Sequence, residues 1–267
     1  MSEKIGVIAG HSQFPIVVVK ALMKQGYEVT VAAIREEAFE EINELTENVH
    51  WIGLGQLGKL VRIFQREKIK KALMAGKVTH ARIFSNVKPD LTFLNLLVRL
   101  KDKSTDSLIG AVAEFLAGKG IELVDSTAYI REFLPRKGIM TKRKPTGKER
   151  VDLEYGWQMA KAIADLDIGQ TIIVKDRAVV AVEAMEGTDS VIQRGGRIGR
   201  GNVAVIKVSK PGQDMRFDVP VVGKKTIETM IEAGAGLLAI EAEKTIIFDQ
   251  EDFLGLADSN GICILAK

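Results

Sequence analysis

The fold is limited most by an alternation that begins at the N-terminus. The apolar run Lys4-Ile5-Gly6-Val7-Ile8-Ala9 is followed by the turn Gly10-His11-Ser12-Gln13. An amphipathic stretch then runs from Phe14 to Gln25, with Val17, Val18, Ala21 and Leu22 on its apolar side, and a second apolar run spans Glu28 to Ala33. Short runs without polar alternation suit strands buried on both faces, and an intervening stretch of helical period suits a crossover helix. Strand, helix, strand in that order builds parallel pairs. The pattern continues through strands at Val49 to Ile52, Lys71 to Ala75 and Ile121 to Val124, with helices at Gln56 to Glu67, Pro89 to Leu100 and Thr105 to Lys119. The expectation for residues 1–134 is an α/β, Rossmann-like domain, a parallel sheet with helices on both faces.

Ligands of such sheets bind beyond the carboxyl ends of the strands, which here means Gly10 to Gln13, Gly53 to Gln56 and Gly76 to Val78. Gly10 and Gln13 stand where a helix start can meet an anion. Gly6 and Gly10 do not make a three-glycine dinucleotide fingerprint, so a plain strand-to-helix turn fits them equally well. No organic cofactor is expected.

From Leu134 the character changes. Seven of the fifteen residues from Arg136 to Arg150 are Lys or Arg, and Pro135, Gly138, Pro145 and Gly147 interrupt regular structure, so residues 135–148 read as a basic linker. Residues 149–267 read as a distinct α/β domain. It opens with a helix carrying Val151, Tyr155, Met159, Ile163 and Leu166 on its core face, then a hairpin of Gln170 to Lys175 and Ala178 to Ala184 turning at Asp176-Arg177. Strands at Val203 to Val208, Gly236 to Ile240, Ile246 to Phe248 and Gly261 to Leu265 alternate with helices at Thr226 to Ala233 and Glu251 to Ala257.

A chain of 267 residues with 46% hydrophobic side chains can fill two such cores. A formal charge of only +3 argues against bulk nucleic-acid binding, so no nucleic-acid partner is expected. No apolar run is long enough to span a bilayer and the N-terminus leads directly into a strand, which points to a cytoplasmic protein. The one cysteine, Cys263, lies in an apolar run and reads as core filler.

Functional groups concentrate between Glu183 and Asp218. Glu183, Glu186 and Asp189 crowd one turn, where mutual repulsion calls for a cation, and oxygen-only ligands suit Mg²⁺, with Mn²⁺ as the alternative. His11, His50 and His80 have no zinc-ligand spacing. Gly187 supplies a turn, Thr188 or Asp189 can cap the helix that follows, and the helix start suits a phosphate. Lys207 and Lys210 flank a strand end, and Pro211-Gly212 turns to present Gln213, Asp214, Arg216 and Asp218. Arg216 suits phosphate, and a lysine here suits charge on a phosphoryl oxygen. Asp214 and Asp218 remain as metal ligand and water-orienting base, in an order that spacing alone leaves open. Each of these residues also has an ordinary surface reading.

The runs Ala181-Val182-Glu183-Ala184-Met185-Glu186-Gly187-Thr188-Asp189 and Lys210-Pro211-Gly212-Gln213-Asp214-Met215-Arg216-Phe217-Asp218-Val219-Pro220-Val221-Val222-Gly223 resemble the metal-dependent UDP-2,3-diacylglucosamine pyrophosphatase family of lipid A synthesis, the type unrelated to metallophosphoesterases. Ile8-Ala9-Gly10 with Pro15, Gly55-Gln56-Leu57-Gly58-Lys59, Leu134-Pro135 with Gly138, and Asp167-Ile168-Gly169-Gln170 extend the resemblance over nearly the whole chain. It implies two domains with the substrate between them, a homodimer, and Mg²⁺-dependent hydrolysis of UDP-2,3-diacylglucosamine to UMP and 2,3-diacylglucosamine 1-phosphate (lipid X). A diacylated substrate further implies transient, peripheral contact with the inner membrane face.

The resemblance moves the principal catalytic assignment to Asp218, with Asp214 and Lys210 beside it. The metal set is Glu183, Glu186, Asp189 and Asp218. The substrate and phosphate set is Gly10, Gln13, Gly187, Thr188, Lys207, Gln213 and Arg216. Two departures stand out. The family's N-terminal loop usually has another glycine where His11-Ser12-Gln13 stands, and its Gly-Asp-Asp segment is Ser104-Thr105-Asp106 here. These departures keep a second expectation in view, a nucleotide- or glycolipid-binding protein without catalysis.

Overall fold

The structure is a computed structural model that describes residues 2–78, 89–100, 105–212, 214–216 and 219–267, the side chains of 105 and 106 excepted. Gln213 and Asp218 therefore lie outside the described residues, as do Ser104 and the side chains that follow it in the Ser104-Thr105-Asp106 departure. The chain forms two compact units. The first runs to Ile130 and takes in Met215 and Arg216, and the second begins at Arg131.

In the first unit the strands are β1 (Lys4–Ala9), β2 (Glu28–Ile34), β3 (Val49–Ile52), β4 (Lys71–Ala75) and β5 (Glu122–Leu123), and the helices are α1 (Phe14–Lys24), α2 (Leu57–Arg66), α3 (Leu91–Arg99) and α4 (Thr105–Ala117). The sheet order is β3-β2-β1-β4-β5 and every pairing is parallel. Alternate residues face opposite sides, so Ile8, Ala32 and Ala72 bury against α2, α3 and α4 through Phe64, Phe93 and Leu116. α1 covers β1, β2 and β4 with Val18, Val19 and Leu22. This is the Rossmann-like arrangement that the apolar runs require.

The starts of α2 and α3 are closed by the chain itself. Asp90 caps α3 by accepting from the Phe93 amide at 2.9 Å and also accepts from the Gly58 amide in the first turn of α2 at 2.7 Å. One carboxylate thus occupies two helix N-termini. α3 also departs from a simple core helix. Phe93 and Leu96 are buried, but Leu91, Leu94 and Val98 form an exposed row.

The second unit holds β6 (Gly138–Ile139), β7 (Thr171–Lys175), β8 (Ala178–Val182), β9 (Val203–Lys207), β10 (Val221–Val222), β11 (Ala235–Ile240), β12 (Ile246–Ile247) and β13 (Cys263–Ala266). Its helices are α5 (Gly147–Asp165), α6 (Thr188–Gly199), α7 (Lys224–Ala233) and α8 (Gln250–Ser259). The main sheet order is β6-β13-β11-β9-β7-β8, with β13, β11 and β9 parallel and the other pairings antiparallel. β10 and β12 form a separate parallel pair. The β7–β8 hairpin turns at Asp176-Arg177, both at positive φ, and their amides donate to the buried Asp152 carboxylate at 3.1 and 2.7 Å.

Two expectations change here. Residues 135–148 are no free linker: β6 pairs antiparallel with β13, and Arg143 bridges Glu149 and the Gly236 and Gly261 carbonyls, which builds the segment into the second unit. Its cations read as a solvated loop because their long-range partners are not local in sequence. On α5 the buried row is Asp152, Leu153, Gly156, Ala160 and Ala164, whereas Val151 and Leu166 are exposed and Tyr155, Met159 and Ile163 only half-buried. Small residues face the sheet because the helix lies close to it; a Cβ on Gly156 would meet Ile206 at 2.3 Å. Cys263 is core filler as expected, and burial raises its thiol pKa.

Candidate active site

The stretch Arg194-Gly195-Gly196-Arg197-Ile198-Gly199 is the body of α6 rather than a ligand loop. A Cβ on Gly195 would meet Ile173 at 2.5 Å and one on Gly196 would meet the Ala233 carbonyl at 2.4 Å, so these glycines let α6 sit tightly on β7 and α7. That approach brings the N-terminus of α6 down on the ends of β8, β7 and β9. Gly187 is the N-cap, at φ 86°, and no side chain caps the helix; Thr188 and Asp189 do not take that role.

Thr188 is used differently. Its hydroxyl donates to Glu183 Oε1 at 3.0 Å and accepts from Lys207 Nζ at 2.9 Å, while Lys207 also donates to the Val221 carbonyl at 3.0 Å. Lys207, the last residue of β9, is only 7% exposed. The result is a chain from a buried ammonium through a hydroxyl to a carboxylate. The other oxygen, Glu183 Oε2, is buried and has no hydrogen-bond partner among the described residues, and the same holds for the Thr171 hydroxyl on the neighbouring strand. Alternation along the strands puts Glu183, Thr171 and Lys207 on the sheet face that carries Ala181, Ile173 and Val205, beneath α6. An unmatched buried oxygen costs about 1–3 kcal/mol and calls for an explanation such as a bound ion, a water or a catalytic role; the Thr245 hydroxyl is a third such group among the described residues.

Among the described residues Glu183, Glu186 and Asp189 do not come together as one carboxylate cluster; Asp218, the fourth of the expected set, lies outside them. Glu186 accepts from Arg194 and from the Ala184 amide, and Arg194, foremost, lowers its pKa. Asp189 lies 3.6 Å from Lys225. Among the described residues no group of three or more His, Cys, Asp or Glu side chains is placed to hold a metal ion. Arginine and lysine relieve the repulsion that sequence reading assigned to a cation. Of the three described carboxylates, Glu183 alone turns an unmatched hard oxygen inward and so fits a magnesium-type ion.

Beyond β9, Lys210 pairs with Asp167 at 2.5 Å, and Gly212 turns at φ 70°. Asp214 is half-buried in the second unit, and Arg216, also half-buried, groups with the first. Sequence reading missed Glu241, which follows β11 and is 8% exposed. Burial opposes its ionisation, but donors from Lys161, Ser209 and Lys244 outweigh that and hold its pKa at about 2. The available signal was an acid directly after a buried parallel strand, where ligands of such sheets gather.

In the first unit, Gly10 and His11 amides donate to the Ala75 and Lys77 carbonyls at 2.8 and 2.7 Å, and a Cβ on Gly10 would lie 2.6 Å from the Lys77 oxygen. The Gly10 turn is thus filled by backbone, and Gln13 is exposed at the start of α1 without a side-chain cap bond. Ser12 sits at φ 117°, a conformation favouring glycine, at the loop where the resembled family usually has one more.

Among the described residues no helix is long and apolar enough to cross a membrane. Solved structures with some likeness include glycinamide-RNase-transformylase T from Mycobacterium tuberculosis, which covers 68% of this chain and 44% of its own at 11% identity and TM-score 0.26. The biotin carboxylase domain of a thermophilic 2-oxoglutarate carboxylase covers 65% and 35% at 14% identity and TM-score 0.27. The chain spans less than half of either, and neither bears on the fold at that score. A full-length relative is the UDP-2,3-diacylglucosamine pyrophosphatase LpxI of Caulobacter vibrioides, 28% identical over 274 residues that cover 98% of this chain and 97% of that protein. The LpxI N-terminal domain matches residues 4–133 and the LpxI C-terminal domain residues 136–265, and the chain belongs to the LpxI family.

Proposed function

We propose that the chain is a hydrolase that splits the diphosphate of UDP-2,3-diacylglucosamine into UMP and 2,3-diacylglucosamine 1-phosphate, in the cytoplasm and with Mg²⁺. The relative of matching length carries that substrate in its name. The observation that carries the reading is the buried Lys207–Thr188–Glu183 chain with its unmatched Glu183 oxygen. Lys207 supplies fixed positive potential at the strand ends, where charge develops on a phosphoryl oxygen. Thr188 holds Glu183 and Lys207 in register. Glu183 and Asp218 would hold Mg²⁺, or Mn²⁺ in its place, whose contribution is to neutralise phosphate charge. Asp218 and Asp214 remain the candidates for orienting water, and Lys210, Gln213 and Arg216 for meeting phosphate. The protein works as a homodimer that meets the inner membrane face transiently to take its diacylated substrate.

The test is UMP release from UDP-2,3-diacylglucosamine with and without Mg²⁺, beside Asp218→Ala. The reading expects equimolar UMP and sugar phosphate, dependence on metal, and near-total loss in the variant. Tight binding of intact substrate with no release would replace it with a non-catalytic glycolipid binder.

A further inference from the structure

Ser209 leads the chain out of β9 toward Lys210 and Asp214, and all three of its polar atoms are held. Its amide and hydroxyl donate to Glu241 Oε2 at 2.9 and 2.7 Å, and its carbonyl accepts from Lys161 Nζ at 3.2 Å. Lys161 also donates to Glu241 Oε2 at 2.5 Å, and Lys244 pairs with Oε1 at 2.9 Å. Ser209 is fully buried. The next residue, Lys210, is tied to Asp167 just past the end of α5, the helix that supplies Lys161. Two successive residues at the exit of β9 are therefore anchored to one helix, with Glu241 as the hub.

Alternation along β11 puts Glu241 on the face that carries Ala239, opposite the face that carries Lys207 and Thr171. Its influence on the site accordingly runs through the Ser209 backbone. Replacing a buried ion pair by apolar packing of similar volume often leaves stability unchanged, so stability alone does not account for a carboxylate buried among lysines. The geometry fits better as a means of fixing direction, since a residue pinned at N–H, C=O and side chain has no dihedral left to vary.

We propose that Glu241 is a positioning residue of the active site, aiming the segment that begins at Ser209 and carries Lys210 and Asp214. The proposal rests on the hydrolase reading above. It is tested in the full chain with Glu241→Gln, Ser209→Ala and the double variant, reading kcat and KM for UMP release together with hydrogen exchange at the Ser209 amide. Glu241→Gln should lower kcat roughly 10- to 100-fold, as displacement of a reacting group by about an ångström does, with KM within about threefold. The Ser209 amide should exchange at least about tenfold faster while the β9 and β11 amides keep their protection. Ser209→Ala should cost less, and the double variant should be no slower than Glu241→Gln alone, because both lesions cut one tether.

A folded Glu241→Gln protein with kcat near wild type, or fully additive effects, overturns the proposal. If the wild type releases no UMP, the hydrolase reading fails by itself, and unchanged exchange at Ser209 in Glu241→Gln then overturns the tether as well. Should Glu241→Gln fail to fold, Lys161→Met releases the Ser209 carbonyl and takes its place under the same criteria.

Discussion

At the strand ends of the first sheet, Gly10 and His11 give their amides to Ala75 and Lys77, and Asp90 closes the starts of α2 and α3. At the strand ends of the second sheet, Lys207 is buried, Glu183 and Thr171 each keep an oxygen unmatched among the described residues, and Glu241 holds the exit of β9. Both rims lie where α/β sheets take ligands. Among the described residues, the buried side-chain oxygens left unmatched lie in the second unit and none in the first, and the proposed reading puts the chemistry at the second rim.

The largest expected effect strikes the second rim. A Cβ on Gly169 would lie 1.9 Å from the Glu183 carbonyl oxygen, a backbone atom that has little room to yield. Gly169→Ala should therefore cost about 3 kcal/mol or more in urea unfolding and lower turnover per folded molecule, because it displaces Glu183. Wild-type turnover in the folded fraction would detach Glu183 from the chemistry.

Next comes acid. The Glu241 carboxyl is held at about 2 against an ordinary 4.5. A depressed carboxylate pKa gives stability that is full above the unfolded value and is lost as pH falls from about 4.5 toward 2. Up to about 3 kcal/mol lies in that window by linkage. Denaturant titrations at pH 6 and pH 3 should show a loss that is much smaller in Glu241→Gln. An equal loss in both proteins would put acid sensitivity elsewhere.

The smallest effect belongs to the first rim. Ser12 at φ 117° is strained by about 1–3 kcal/mol, offset by the 3.2 Å bond it accepts from the Phe14 amide. Ser12→Gly should stabilise the chain by about 0.5–1 kcal/mol and leave kcat unchanged, checked by the denaturant midpoint and the UMP assay. A changed kcat would bring the first rim into catalysis.

Much of the fold was legible because burial on both faces leaves uninterrupted apolar runs, as in β1, β4 and β11, and because a hairpin needs a turn such as Asp176-Arg177. The 135–148 segment was misread since the partners of Arg143 lie at Glu149, Gly236 and Gly261, two of them about a hundred residues away. The α5 face was misread because Gly156 and Ala160 serve close approach, which hydrophobicity does not signal. In the site, Glu183, Thr188 and Lys207 were singled out from their place at a turn and a strand end. That Arg194 would take Glu186 depends on how α6 lies across the sheet, and the roles of Thr171 and Glu241 on which strand ends come together; neither is local in sequence.

The central claim is that chemistry belongs to the second rim. It is tested most directly by kcat/KM for UMP release from UDP-2,3-diacylglucosamine in Lys207→Met and Gly10→Ala, each scaled to its folded fraction. Lys207→Met should lose about 100- to 1,000-fold, as removal of a preorganised charge does. Gly10→Ala, despite a stability cost of about 2 kcal/mol from its clash with the Lys77 carbonyl, should stay within about threefold of wild type. The reverse pattern, with Lys207→Met near wild type and Gly10→Ala inactive, would contradict the account.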